Sequence, residues 1–234
     1  MPVVDFIAPP VCVACRRPAS GQICADCLRG LPWLRGHRCP RCGLPRHRSG
    51  CPAASAAFDR AWAPLAYEGS ARELVRALKF RAALPVAGVM AAHMAANLPA
   101  DFRRPPFRGA PPEAAALAPR PAIAVVPVPP HRGRLRRRGF DPAALLAAGL
   151  AERAGLSLSA CLKRADRGRR QVGAGRAQRR SAGRFAAVTT GLPPRAVVLV
   201  DDVHTTGATL DACAHALKER GTDWVGAATY VRTL

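Results

Sequence analysis

The sequence predicts an α/β protein, a parallel sheet flanked by helices, preceded by a small cysteine-rich module. Three observations carry that expectation. Residues 197–200 are four branched apolar residues in a row, the pattern of a central parallel strand covered on both faces. They run into Asp201, Asp202 and a threonine–glycine loop, and a helix start near Thr209 follows, so strand, loop and helix succeed one another as in a wound sheet. Seven of the nine cysteines fall before residue 52, and most of them stand in Cys-x-x-Cys pairs.

With 234 residues the chain is long enough for a full core and a small second module. Lysine and arginine number 36 against 15 acidic residues, a formal net charge of +21, which favours polyanionic partners or phosphorylated substrates. Aromatic residues are few (seven Phe, three Trp, two Tyr), so platforms for stacking on single-stranded bases are scarce. Residues 1–10 lack the basic start and apolar centre of a signal peptide. The most apolar later run, 82–100, is broken by Pro85, His93, Asn97 and Pro99, so no membrane insertion is expected. A cytoplasmic protein is the expectation, and cysteines there serve metal or remain free thiols.

The module at residues 1–57 is organised by cysteine spacing. Cys12-x-x-Cys15, eight residues, then Cys24-x-x-Cys27 form one unit; Cys39-x-x-Cys42, eight residues, then Cys51 repeat it, with Ala54 where an eighth cysteine would fall. Each pair is a knuckle whose two thiolates hold one ion, and two knuckles close a tetrahedron, so the first unit reads as a structural zinc ribbon. A segment this short could hardly fold without such a staple. The second unit leaves alternatives open. Its fourth ligand is His47 or His37, or the site has decayed, or the knuckles pair across the repeat.

From residue 58 the pattern changes to that of the larger domain, 58–234. Residues 61–67 read as a strand, 69–80 as an amphipathic helix with Leu74, Val75 and Leu78 on one face, and 82–98 as a second helix with a start signal at Pro85. Residues 101–121 carry six prolines in 21 positions and read as a mobile loop or insertion. A short buried strand at 122–126 stops at Pro127, because proline cannot continue a central strand. The following stretch reads as a basic loop holding His131, Arg132, Arg134, Arg136, Arg137 and Arg138, and Asp141 and Pro142 open the next helix. Residues 166–184 contain seven arginines, four glycines and one acid without apolar periodicity, a loop able to close over a ligand or to track a nucleic-acid backbone. Leu210, Ala214 and Leu217 give the helix after the 197–210 stretch its buried face, Gly221 ends it, and 224–231 reads as the last strand. Cys161 and Cys213 read as small buried hydrophobes.

The chemistry concentrates at 201–209. Two carboxylates stand at a strand's carboxyl end, where open α/β sheets bind ligands. His204, Thr205, Thr206, Gly207, Ala208 and Thr209 offer hydroxyls, backbone N–H groups and a glycine that admits close approach, at the positive end of a helix dipole. An anion with hydroxyls beside it, a sugar phosphate, suits this arrangement.

The run Asp201-Asp202-Val203-His204-Thr205-Thr206-Gly207-Ala208-Thr209 resembles the phosphoribosyl pyrophosphate signature of type I phosphoribosyltransferases. Combined with the N-terminal multi-cysteine module and the stretch Val126-Pro127-Val128-Pro129 to Arg138-Gly139-Phe140, the chain resembles the ComF family from Cys12 to Arg232, including Tyr67-Glu68-Gly69, Leu78-Lys79-Phe80 and Gln171, Arg180 and Phe185. Two departures stand out: Asp141-Pro142 replace the family's usual Asn-Gln, and the eighth cysteine is missing. The resemblance implies a double zinc ribbon, its second half degenerate, before a Rossmann-like parallel sheet of the type I phosphoribosyltransferase kind. It implies that residues 204–209 hold a 5′-phosphate, that Asp201 and Asp202 hold the ribose hydroxyls, and that His131, Arg134 and Arg138 face pyrophosphate. Structural zinc would be held by Cys12, Cys15, Cys24 and Cys27, and by Cys39, Cys42 and Cys51 with His47. Mg²⁺ would accompany phosphoribosyl pyrophosphate. Single-stranded DNA and DNA-uptake proteins are the implied partners, in natural competence. The alternatives are a metabolic transferase acting on a nucleobase-like acceptor and a non-catalytic sensor of phosphoribosyl pyrophosphate.

Overall fold

The computed structural model describes residues 10–45, 47, 50–106, 123–165 and 187–234. Helix α1 (Ala25–Arg29) belongs to the cysteine module. The larger part runs β1 (Arg60–Trp62), β2 (Leu65–Ala66), α2 (Gly69–Arg81), α3 (Pro85–Asn97), α4 (Ala100–Arg103), β3 (Ile123–Pro127), α5 (Arg132–Arg138), α6 (Pro142–Ala154), β4 (Ser157–Leu158), β5 (Leu162–Arg164), β6 (Ala187–Thr189), β7 (Ala196–His204), α7 (Ala208–Lys218) and β8 (Trp224–Arg232). Among the described residues the sheet is six-stranded and parallel, in the order β1–β8–β7–β3–β4, with β2 also paired to β8. β5 and β6 form a separate antiparallel pair.

The predicted α/β class is therefore what the chain adopts, and the alternation along β7 shows why. Val198 and Val200 face a cluster built with Leu74, Leu78, Met90, Leu146 and Leu150 of α2, α3 and α6. Val197 and Leu199 face the opposite cluster, with Leu210, Cys213 and Leu217 of α7. A strand buried on both faces needs an unbroken apolar run. Cys161 and Cys213 are buried, as their apolar surroundings require.

Several boundaries differ from expectation for physical reasons. β7 runs four residues beyond Val200, because Asp201, Val203 and His204 continue the register with Thr229, Val231 and Arg232 of β8. The expected strand at 61–67 is split into β1 and β2 around Ala63 and Pro64; Pro64 has no N–H to offer a ladder. The basic stretch after Pro127 is not a loop. It is helix α5, capped where the His131 Nδ1 accepts from the Gly133 N–H at 3.1 Å, and arginine is a good helix former. Part of the expected proline-rich loop is ordered as α4, whose buried Phe102 packs edge-on against Trp224. The rest of that stretch, 107–122, and the arginine–glycine segment with Gln171, Arg180 and Phe185 lie outside the described residues.

The cysteine module straddles the β1/β2 edge of the sheet. On one side Leu34 N–H donates to Pro64 O at 2.8 Å and Ala66 N–H to Pro32 O at 3.0 Å, and Leu31 joins the α2–α3 cluster. On the other side Ala61 N–H donates to Arg41 O at 2.9 Å, and Cys42 and Phe58 join the α7 cluster. Gly43 makes this fit: its φ is +74° and a Cβ there would lie 2.7 Å from Ala61 O. The Arg41 guanidinium ties down the module's end by donating to the carbonyls of Ala53, Ala56 and Asp59. Among the described residues no helix is long and apolar enough to cross a membrane.

Candidate functional site

Two metal-binding groups and one cleft hold the chemistry. In the first group the ligand atoms of Cys12, Cys15, Cys24 and Cys27 lie within 4.8 Å of one another. In the second, Cys39, Cys42, His47 and Cys51 do the same, so His47 completes it. The pairing stays within each unit, and His37 is exposed and outside both groups. Thiols packed this closely cannot all ionise alone. Burial raises Cys12 and Cys39, but hydrogen bonds draw both down to about 6; these come from backbone N–H groups for Cys12, and from His47 and backbone for Cys39. Burial and neighbouring cysteines push Cys27 up to about 12 and Cys42 to about 11. A divalent, thiolate-seeking ion removes that conflict. Four thiolates in the first group, and three thiolates with one imidazole in the second, are donor sets that fit structural zinc.

The cleft, of about 470 Å³, opens at the carboxyl ends of β3 and β7. It gathers Asp201, Asp202, Thr205 and Thr209 from the β7–α7 side and His131, Arg134, Arg138 and Asp141 from α5 and the start of α6. Tyr67, Lys79 and Arg164 line it too. Asp201 Oδ1 accepts from the Asp202 N–H at 2.8 Å, which fixes its carboxylate. Burial, then the adjacent Asp202 charge, raises Asp201 well above the usual carboxylate range. Asp202 is 5% exposed, and its Oδ2 lies 2.7 Å from Lys79 Nζ at the end of α2. Asp141 caps α6 by accepting from Ala143 N–H at 3.0 Å, and burial, opposed in part by the helix N–H groups, moves its pKa upward.

The loop after β7 divides its residues between ligand-facing and supporting places. Thr205 and Thr209 face the cleft, while Thr206 Oγ1 accepts from Ala208 N–H at 3.4 Å at the start of α7. Gly207 has φ +78°, and a Cβ on it would lie 2.8 Å from His204 Nε2. Ala208, exposed, is the first residue of α7. His204 itself is buried beneath the loop and not in the cleft lining. Its ring meets Phe58 edge-on, its Nδ1 lies 3.0 Å from Arg232 Nη1, and burial, then Arg232, lowers it to about 4. On the opposite wall Arg138 lies over the Phe80 ring, 5.4 Å from its centre.

The carboxylates, Thr205, Thr209 and the basic wall that the sequence singled out line one cleft, and the first metal group stands as read. The second, expected to be degenerate and left open between His47, His37, decay and cross-pairing, is a complete group with His47. Sequence reasoning missed Lys79 and Arg164 as cleft residues and took Asp141 only for a cap. Lys79 sits far before its partner in the chain, in a helix whose pattern reports only its buried face. The signal available for Lys79 was the Leu78-Lys79-Phe80 triplet.

Comparison with known proteins agrees with part of this. Residues 3–57 match the double zinc ribbon domain family, so the N-terminal module is a double zinc ribbon. No curated protein matches the chain. Among solved structures the chain is similar to a hypoxanthine phosphoribosyltransferase from Staphylococcus aureus, at 14% identity and a TM-score of 0.34. The match covers 61% of this chain and 61% of that one, too loose a likeness to carry a conclusion about chemistry.

Proposed function

We propose that the cleft binds phosphoribosyl pyrophosphate and that the chain is a ComF-type member of the phosphoribosyltransferase family, serving single-stranded DNA uptake in natural competence. One observation carries the reading. A fixed carboxylate pair, a hydroxyl-bearing loop at a helix N-terminus and a wall of arginines converge on a single cleft. Asp201 and Asp202 accept from the ribose hydroxyls, and Lys79 holds Asp202 in place. Thr205, Thr209 and the backbone N–H groups at the start of α7 receive the 5′-phosphate, with Thr206 bracing the helix start. His131, Arg134 and Arg138 stand across the cleft to balance pyrophosphate charge. Mg²⁺ would accompany phosphoribosyl pyrophosphate and help to neutralise its charge, and Asp201 and Asp202 are the cleft carboxylates that would be available to it.

The DNA part of the reading is supported by the +21 charge and by Arg132, Arg134, Arg136 and Arg137, all exposed on α5. A cytoplasmic location and DNA-uptake proteins as partners belong to the same proposal. Calorimetry with phosphoribosyl pyrophosphate and Mg²⁺ tests the cleft. Wild type binds and Asp202→Ala does not; absence of binding by wild type sinks the reading. For DNA, affinity for a single strand falls steeply between low and moderate salt, and a flat response rules out backbone tracking.

A further inference from the structure

A short hydrogen-bonded chain joins the second metal group to the loop after β7. Arg232, the last residue of β8, is 5% exposed, and its Nη1 donates to the carbonyl oxygen of the metal-group residue Cys42. The same Nη1 meets His204 Nδ1 at 3.0 Å, so its two hydrogens serve one acceptor on each side. With Nδ1 accepting, the His204 proton sits on Nε2, the atom beneath Gly207. Arg232 Nε has no partner, and among the described residues no carboxylate pairs with this guanidinium.

A buried cation needs a compensating charge. Three thiolates and a neutral imidazole around Zn²⁺ leave that centre with one net negative charge. We propose that Arg232 is the buried counter-ion of the second zinc centre and, through His204, a positioning residue for the loop at 204–209, so that the loop's order depends on zinc at Cys39, Cys42, His47 and Cys51. Zinc fixes the knuckle that carries the Cys42 carbonyl. That carbonyl orients the guanidinium, and the guanidinium holds the imidazole that supports the loop. A second tether acts in parallel: Asp211 Oδ1, in the first turn of α7, accepts from Ala57 N–H at 2.6 Å. The inference deepens the sugar-phosphate reading by naming what orders its loop.

The test uses the full zinc-loaded chain and two readouts that need no sugar phosphate. Chelator-driven zinc release is followed by a colorimetric metal indicator, and hydrogen exchange of 204–209 by mass spectrometry. Arg232→Gln is expected to release one of two zinc ions about 10- to 100-fold faster, as loss of an outer partner of a metal ligand does. Exchange at the loop rises in the same variant. Arg232→Lys keeps the charge and carries enough N–H donors on one nitrogen for both acceptors, so it restores zinc retention and returns loop exchange toward the wild-type rate. Cys51→Ser, which removes a ligand and leaves Arg232 intact, raises loop exchange while exchange in β3 and β7 residues 196–200 stays low, which reports an intact core. The proposal is overturned if Arg232→Gln releases zinc at the wild-type rate, or if Cys51→Ser leaves loop exchange unchanged with the core intact. Failure of phosphoribosyl pyrophosphate to bind would defeat the functional reading and leave these readouts standing.

Discussion

Replacing Lys79 by methionine removes the cation from a buried carboxylate and leaves the rest of α2 in place. Asp202 is 5% exposed and 2.7 Å from Lys79 Nζ, with Asp201 the preceding residue on the strand. Breaking a buried pair by deleting one partner costs about 3–5 kcal/mol, and Lys79 keeps 22% of its side chain in solvent, which argues for the lower end, about 3 kcal/mol. With a urea m-value of about 3 kcal/mol per M for a chain of this size, the midpoint falls by about 1 M. The pH dependence is the sharper test. Asp201 has a folded-state pKa raised above its unfolded value, so its contribution is complete below the unfolded pKa and is lost as pH rises through the folded one. Lys79 is one of the influences lowering Asp201, so its removal raises that carboxyl further and makes the native state hold its proton more tightly. The deficit of Lys79→Met is therefore larger at pH 8 than at pH 5. Urea denaturation at both pH values, at fixed free zinc, measures it. An equal deficit at pH 5 and pH 8 would refute the assignment of Lys79 as the cation that offsets the charge of this acid pair.

Gly43→Ala introduces both a left-handed alanine and a 2.7 Å approach to Ala61 O, and is expected to cost about 2–3 kcal/mol in urea melts; Gly36→Ala, with a similar φ of +79° and open space, costs about 1 kcal/mol. Metal analysis returns about two zinc per chain, and Cys27→Ser and Cys51→Ser each remove about one. Gly207→Ala drives a Cβ toward His204 Nε2 and lowers affinity for phosphoribosyl pyrophosphate at least about 10-fold by calorimetry, the scale of an unmade phosphate contact. Asp141→Asn keeps the cap on Ala143 and removes a carboxylate from the cleft, so stability changes by less than about 1 kcal/mol while pyrophosphate binds about threefold tighter in the same assay.

How much could be read in advance followed from how local each signal was. The 197–200 run and the Cys-x-x-Cys spacing are short-range patterns set by burial on two faces and by tetrahedral ligation, and both survive in the structure. The extension of β7 through its two acids depends on β8 offering Thr229 and Val231 alongside, a partner beyond the intervening helix that no local window contains. Helix α5 was hidden because a glycine and a row of arginines carry no apolar period, although its solvent-facing side needs none. His204 looked like a loop residue by position, and only the Arg232 and Phe58 contacts show it to be a support beneath the loop. The choice of His47 over His37 was likewise a question of proximity, not spacing.

The way the ribbon straddles the sheet edge has a consequence for synthesis. The module is made before the sheet that carries it, and part of its seat is supplied by the last strand. The Asp59 carboxylate accepts from Val225 N–H at 2.8 Å and from Lys218 Nζ at 2.9 Å, and Cys42 waits for Arg232. Zinc can close the knuckles as they leave the ribosome, and Arg41 and Gly43 find their partners by residue 62, but Cys42 and Phe58 meet the side chains of α7 and β8 only after residue 232 has emerged. For most of translation the ribbon is a finished part on an unfinished seat. The completion of its docking then becomes a late, long-range step, slow by the logic of distant contacts. A nascent chain arrested before β8 would expose the β7 edge and the underside of the ribbon together, and that is the stage at which this protein would most need a chaperone.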